Sequence, residues 1–411
     1  MRILVLLLVL LAVPSTEAAS VETFVSPDSS FEALSGFLLG AEESLFLATY
    51  TLSSPEMVEI LIEKRSEGVE IGLIAEKSPA GGMSKNELVA LCALQANNIT
   101  PMLYDGPLRY MHAKYVIRDG RDVLITSENF GYSGFMPEAD YGNRGWGVIV
   151  YDGLADQLLD IYTEDSLDSV PFECPAGDYV LSRWNPPGAY EPRFPIKVFR
   201  DQEVELVYSP DSLDELLGLI GSARESVIVQ QFYIYTHWGS PSRDTIESAP
   251  SPVLEALIDK AGKGVPVRVM IATTYYQMDE DRSTSNYNTI MYLNSTASVE
   301  GIPIEVRGMG DESPVRLHNK GVIIDDRKVL VSSINWNENS IMNNREVGII
   351  ITGEAAQYYS QVFGFDWGAE PEEYGLGFAP AMFSLAVLVI VILYFSMRKS
   401  RNAFYWERNK N

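Results

Sequence analysis

The chain has 411 residues, with 31 basic and 56 acidic side chains and a formal net charge of −25 at pH 7. At about 150 residues per domain that length predicts two to three domains, and 46% hydrophobic with 11% aromatic residues excludes a mainly disordered chain. The acidic balance excludes a general polyanion binder, two cysteines exclude a disulfide scaffold or Cys-rich zinc site, and three histidines leave little room for a His-rich metal centre.

In chain order, Arg2 precedes an apolar run, Ile3 to Val13, then Pro14 and the small-residue stretch Ser15 to Ser20. That is the pattern of a secretory signal peptide over 1–19, the run being too short for a bilayer core of roughly 30 Å. The first half, 20–168, opens with Ser26-Pro27-Asp28-Ser29 and an amphipathic helix bearing Phe31, Leu34, Phe37 and Leu38. A strand, Leu45 to Tyr50, comes next. Ser54-Pro55 then caps a second helix closing at Gly68-Val69, followed by a strand from Glu70 to Ala75. Cys92 lies among Leu88, Leu91 and Leu94 and reads as a core residue, with pairing to Cys174 left open. Residues 153–165 read as a closing helix.

A linker over 169–200 carries Pro171, Pro175, Pro186, Pro187, Pro192 and Pro195. The second half, 201–368, repeats the first: Ser209-Pro210-Asp211-Ser212, a helix with Leu213, Leu216, Leu217 and Ile220, a strand Val227 to Tyr233, Ser251-Pro252, Gly264-Val265, and a strand Pro266 to Ala272. It adds polar stretches around 236–250 and 277–298, read as surface loops able to shape access. After a juxtamembrane segment, 369–377, the apolar stretch 378–397 matches a transmembrane helix. Arg398, Lys399 and Arg401 open a basic tail, 398–411, on the cytoplasmic side. The expectation is a single-pass cell-membrane protein with an extracytoplasmic ectodomain. The tail has five basic residues and one acidic and the leader is neutral, so the ectodomain carries −29. Asn98-Ile99-Thr100 and Asn294-Ser295-Thr296 are glycosylation sequons suited to that side.

The fold class is α/β. The repeat is far longer than solenoid periods, so it predicts two similar α/β halves packed about a pseudo-two-fold axis around one shared site. Such a chain is a pseudo-dimer in itself and fits a monomer.

Two of the three histidines fall at matching places. His112-Ala113-Lys114 is followed by Asp119, and His318-Asn319-Lys320 by Asp325, each as H-x-K-x4-D. Each continues to a small-Ser-x-Asn element, Thr126-Ser127-Glu128-Asn129 and Ser332-Ser333-Ile334-Asn335. With Lys and Asp at about 5% of residues each, chance accounts for both motifs with a probability on the order of 10⁻⁵. His and Lys two apart on a strand share a face, the Asp suits a turn, and an apolar strand returns with Ser and Asn at its end. Two such hairpins facing one pocket supply the groups that hold a tetrahedral phosphate: lysine charge, with Asn129, Asn335, Ser127 and Ser333 as donors. One imidazole can attack phosphorus while the other protonates the leaving oxygen.

This duplicated motif resembles the phospholipase D superfamily, over about Ser26 to Phe365. The resemblance implies two α/β halves meeting at one active site and a phosphodiesterase that needs no metal and no cofactor. Its covalent phosphohistidine is resolved by water or an alcohol. His112 and His318 then carry the nucleophile and acid/base roles, Lys114, Lys320, Asn129 and Asn335 hold the phosphate, and Asp119 and Asp325 are structural. The family's histidine-orienting acid is matched by Glu346 in the second half. In the first half Gly145 stands at that place, with Glu138 or Asp140 upstream as substitutes, and Thr126 stands where Gly or Ser is usual. The substrate expected is a phospholipid headgroup. A nuclease of the same superfamily is the alternative. A third, from another class, is a catalytically silent ectodomain that binds a phosphate ligand, and Gly145 is its support. The third histidine, His237, reads first as a surface-loop residue and second as a substrate contact, while Tyr110 and Trp336 read either as pocket lining or as packing.

Overall fold

The computed structural model describes residues 17–368, apart from 139, 184–187, 275–276, 311–312 and 314. Most of the leader, and the juxtamembrane, spanning and tail segments expected from the sequence, lie outside the described residues. Among the described residues no helix is long and apolar enough to cross a membrane.

The first half runs β1 (Glu17–Ser26), α1 (Ser30–Leu39), β2 (Ser44–Thr49), α2 (Pro55–Ser66), β3 (Glu70–Glu76), α3 (Lys85–Ala96), β4 (Met102–Tyr104), β5 (Tyr115–Arg118), β6 (Asp122–Thr126), β7 (Gly142–Tyr151), α4 (Ala155–Leu167) and β8 (Ser169–Pro171). The second runs β9 (Lys197–Ser209), α5 (Leu213–Gly221), β10 (Val227–Gln231), α6 (Pro252–Gly262), β11 (Val267–Ala272), α7 (Asn286–Glu300), β12 (Ile304–Met309), β13 (Val315–Leu317), β14 (Lys320–Ile324), β15 (Lys328–Ser332), α8 (Glu338–Met342), β16 (Glu346–Thr352) and α9 (Ala355–Gly368). Three residues assigned to the leader, Glu17 to Ala19, begin β1 and pair with Val204, Glu203 and Gln202 of β9.

One mixed sheet joins the halves in the order β12-β11-β10-β14-β15-β16-β9-β1-β7-β6-β5-β2-β3-β4-β8. Read outward from the β9–β1 pair, each side has the same sequence of parts. A long strand (β16 or β7) leads to an antiparallel hairpin (β15–β14 or β6–β5), then to three parallel strands (β10–β11–β12 or β2–β3–β4). The period of two sorts side chains between two helical layers. Val116 and Leu124 of the first hairpin pack with α1, α2 and α3, whereas Tyr115, Ile117, Val123 and Ile125 face a core shared with α4, α9 and the second hairpin. Val322, Ile324 and Leu330 pack with α5 and α6. Cys92 and Cys174 form a disulfide that ties α3 to the linker.

Start signals read from sequence act locally in the first half. Ser54 Oγ accepts the Met57 N–H at 3.2 Å, with Pro55 opening α2. Ser251 is buried and its hydroxyl has no partner, so Pro252 alone marks the start of α6. The stretch 277–298, expected as a surface loop, is corrected in part: Asn286–Glu300 is α7, the counterpart of α3. Only Asn286, Thr289 and Leu293 of α7 are buried, so its sequence carries almost no apolar stripe to announce it.

Candidate active site

The two motif hairpins bring their histidines to the seam between the halves. β13 pairs in parallel with the start of β7, Leu317 opposite Arg144, and the next residue, His318, donates its N–H to the Arg144 carbonyl at 3.0 Å. The first half mirrors this: Met111 bridges Arg345, and the His112 N–H donates to the Arg345 carbonyl at 2.8 Å. Each histidine is thus anchored by main chain of the opposite half.

The side chains cross the same seam. His112 Nδ1 lies 2.7 Å from Glu346 Oε2, and His318 Nδ1 lies 3.1 Å from Glu128 Oε1. Both carboxylates are buried, at 0% and 1% side-chain exposure, against 14% and 16% for the two imidazoles. With Nδ1 of each ring engaged, Nε2 is the nitrogen left for chemistry. Lys114 and Lys320 are fully buried and donate to the carbonyls of His112 and His318. Lys320 Nζ also reaches the Ser127 carbonyl at 3.3 Å and His318 Nδ1 at 3.1 Å.

Burial drives the electrostatics. It pushes the His112 imidazole down to about 4 against the pull of Glu346, and lowers His318 together with the charge of Lys320. It also pushes Lys114 down to about 8 and Lys320 to about 7, with Glu346 and Glu128 opposing. Burial alone would raise Glu128, but His318 and Lys320 beside it hold its carboxyl below the usual range. Two imidazoles of lowered proton affinity beside two amines of lowered proton affinity form a site that an arriving anion would charge.

The aspartates serve the hairpins. Asp119 and Asp325 sit in the left-handed region, φ 53° and 55°, which Asp tolerates better than most residues. Asp119 accepts from the N–H groups of Glu42, Glu43 and Ser44, and Asp325 from those of Arg224, Glu225 and Ser226. Each clasps its hairpin turn to the start of a neighbouring strand. Ser333 is corrected from the anion-donor role expected of it, because its hydroxyl donates to a carboxylate. Ser333 Oγ donates to Glu346 Oε2 at 2.6 Å, and Ser127 Oγ accepts the Trp146 N–H at 3.0 Å. Asn129 and Asn335 keep an amide oxygen buried without a protein partner.

Neither substitute acid upstream of Gly145 fills the expected place. Glu138 is exposed, and Asp140 accepts the Gly188 N–H at 3.4 Å. The acid on His318 is Glu128, inside the small-Ser-x-Asn element itself, where the spacing of the second half gave no reason to look. Sequence reading also missed two aromatic neighbours. The Tyr50 ring meets His112 edge-on at 4.7 Å between centroids, and Phe232 meets His318 likewise at 4.7 Å. Each directly follows the end of β2 or β10, a position shared by the repeat. Tyr110 packs edge-on to Tyr50 at 5.9 Å, whereas Trp336 is buried core. His237 is corrected from surface loop to buried: it is 2% exposed, with Nδ1 3.1 Å from Thr236 Oγ1.

The fold and sequence match known proteins. The family described as cardiolipin synthase, phospholipase D-like domain, matches residues 34–165 and 216–367. A mitochondrial cardiolipin hydrolase from Xenopus laevis is 29% identical over 113 residues, 26% of this chain and 50% of that protein. The chain therefore spans about half the length of that relative. A phosphatidylserine synthase from Haemophilus influenzae Rd KW20 superposes with a TM-score of 0.59 at 13% identity, over 84% of each chain. A phospholipase D family member, Nuc, from Salmonella typhimurium, covers 38% of this chain and 98% of its own, with a TM-score of 0.34 and 19% identity. With both motif-bearing halves inside the matched segments, the chain belongs to the phospholipase D-like family described as cardiolipin synthase, and through it to the phospholipase D superfamily of enzymes.

Proposed function

We propose that the chain is a phosphodiesterase acting on phospholipid headgroups at the outer face of a membrane, through a phosphohistidine. The observation that carries this is the crossed pairing of His112 with Glu346 and His318 with Glu128, with both motif lysines buried beside them. The family and two similar proteins, a cardiolipin hydrolase and a phosphatidylserine synthase, favour a phospholipid. The anchor expected at 378–397 would hold the site near lipid, and the leader at 1–19 would put it outside the cell. The strand order, the same on both sides of β9–β1, supports a pseudo-two-fold pair of halves and a monomer with one site.

The two histidines divide the reaction, and in this reading His112 attacks while His318 handles the proton. His112 Nδ1 is held by Glu346, which fixes its proton on Nδ1 and leaves the Nε2 lone pair free to attack phosphorus. His318 Nδ1 faces Glu128 Oε1 at 3.1 Å, and this carboxylate stabilises the imidazolium, whose Nε2 proton is then free to be given away. In the first step the P–N bond to His112 forms, the bond to the leaving oxygen breaks, and that oxygen takes the Nε2 proton of the His318 imidazolium, leaving that ring neutral. In the second, water or an alcohol gives its proton to His318 and attacks phosphorus, releasing His112. The lysines neutralise the non-bridging oxygens as charge builds. Glu128 supplies an acid to the first half, so Gly145 no longer supports a silent ectodomain.

A nuclease is the second reading, favoured by aromatic rings beside the site, Tyr50, Tyr110, Phe232 and Tyr233, on which bases could stack. Its test is shared. Full-length chain in detergent is incubated with phosphatidylglycerol, cardiolipin and phosphatidylethanolamine vesicles and with a single-stranded oligonucleotide, with and without EDTA. The proposal expects lipid turnover that survives chelation and is lost in His112→Ala and His318→Ala. Cleavage of the oligonucleotide alone would transfer it to the nucleases.

A further inference from the structure

We propose that Glu128 is the positioning acid of His318 and that Gly145 exists to admit it, the carboxylate having exchanged its expected strand position for the neighbouring turn. The register establishes which positions correspond. Thr126 pairs with Gly147 across β6–β7, and Ser332 pairs with Gly348 across β15–β16. Two residues earlier on the long strand, Gly145 matches Glu346. Two residues later on the turn, Glu128 matches Ile334. The halves therefore hold the same two kinds of side chain in exchanged order. The second has an acid on the strand and an apolar residue in the turn. The first has an acid in the turn and nothing on the strand.

Three observations tie this exchange to His318. A Cβ on Gly145 would lie 2.2 Å from Glu128 Oε1 and 2.6 Å from its Cγ, so any side chain at 145 would expel the glutamate. The amide that steadies the acid is conserved between halves although the acid's origin is not: Asn143 Nδ2 donates to Glu128 Oε2 at 2.8 Å, and Asn344 Nδ2 to Glu346 Oε1 at 3.0 Å. Ile334 lies fully buried in the core of its half, where Glu128 instead turns to the seam and finds a histidine. A carboxylate this buried is tolerable only when paired, and His318 with Asn143 provides the pairing.

The inference rests on the proposed reaction for its kinetic arm only. With three histidines in the chain, ¹⁵N-histidine spectra of the full-length protein resolve His112, His237 and His318, assigned by single His→Asn variants. Glu128→Gln keeps size and hydrogen bonding but removes charge. It is expected to lower the His318 titration midpoint, leave His237 unmoved, and reduce kcat on bis-p-nitrophenyl phosphate by about 100-fold or more with little change in KM. Glu128→Ile should do the same, and Glu128→Ile combined with Gly145→Glu, the layout of the second half, should restore both midpoint and kcat. An unchanged His318 titration in Glu128→Gln would overturn the proposal, as would a folded double variant that recovers neither property. If the wild type turns over no phosphodiester while His318 still follows Glu128, the positioning role stands and the phosphodiesterase reading fails.

Discussion

Glu346, on the second half, holds the imidazole of His112, on the first, through a 2.7 Å contact at Nδ1. The same carboxylate accepts from Ser333 Oγ at 2.6 Å and from Asn344 Nδ2 at 3.0 Å, so its position is fixed from three sides. A nucleophilic imidazole needs its proton on the far nitrogen, and an oriented carboxylate supplies that condition. Glu346→Gln should therefore cut kcat on bis-p-nitrophenyl phosphate by about 100-fold or more while leaving KM nearly unchanged. A variant with normal kcat and intact thermal stability would remove Glu346 from the site.

The repeat told most of this in advance, because chemistry constrains sequence tightly where backbone and reacting group coincide. The two hairpins, both His-Lys pairs and both turn aspartates were legible because each occupies the same place twice, and Glu346 because it stands where the phospholipase D superfamily puts its histidine-orienting acid. Glu128 was hidden for the converse reason: it reaches the equivalent point in space from a different Cα, which linear spacing does not register. α7 was hidden because it buries three residues and its stability depends on packing rather than on a stripe. His237 was read as exposed from its polar neighbours, yet the loop folds back through a bridge between His237 and Pro250 that buries the ring. β1 lay partly within the stretch assigned to the leader, and its pairing with β9 is a long-range contact no local pattern could announce.

The turn aspartates stabilise rather than react. Asp119 accepts three main-chain N–H groups that open β2, and Asp325 does the same for β10. Asp119→Asn and Asp325→Asn each remove the charge from these hydrogen bonds and should cost about 1 kcal/mol of stability, read from the urea midpoint, since the groups are partly solvated. At a temperature where the variants remain folded, kcat should match the wild type. A large kcat loss without a stability loss would assign the aspartates to the chemistry instead.

The Cys92–Cys174 disulfide closes a stretch with a sequence separation of 82, and Cys92 on α3 shares a core with Val116 and Leu124 on the back of the first motif hairpin. In the chain-entropy picture a loop of that size contributes about 4 kcal/mol. Replacing both cysteines by serine should lower the urea midpoint while leaving the pH dependence of kcat as it was. A shifted pH profile in that variant would tie α3 to the reacting groups.

Binding of an anion should draw protons into the site. Lys320 stands at about 7 and Lys114 at about 8, both below the ordinary 10.5 because they are buried. In the unfolded chain these amines stay protonated up to about 10.4. Between pH 7 and that limit the unfolded state binds more protons, folding releases them, and stability rises with pH. An oxyanion beside the amines reverses the balance by favouring their charged form. Tungstate or inorganic phosphate binding at pH 8.5 should thus take up on the order of one proton, seen by calorimetry as an enthalpy that changes with the ionisation heat of the buffer. Lys320→Met should lose most of that uptake and flatten the rise of stability with pH. The same enthalpy in buffers of different ionisation heat would mean that the lysines are already charged in the empty site, Glu128 and Glu346 fully offsetting their burial.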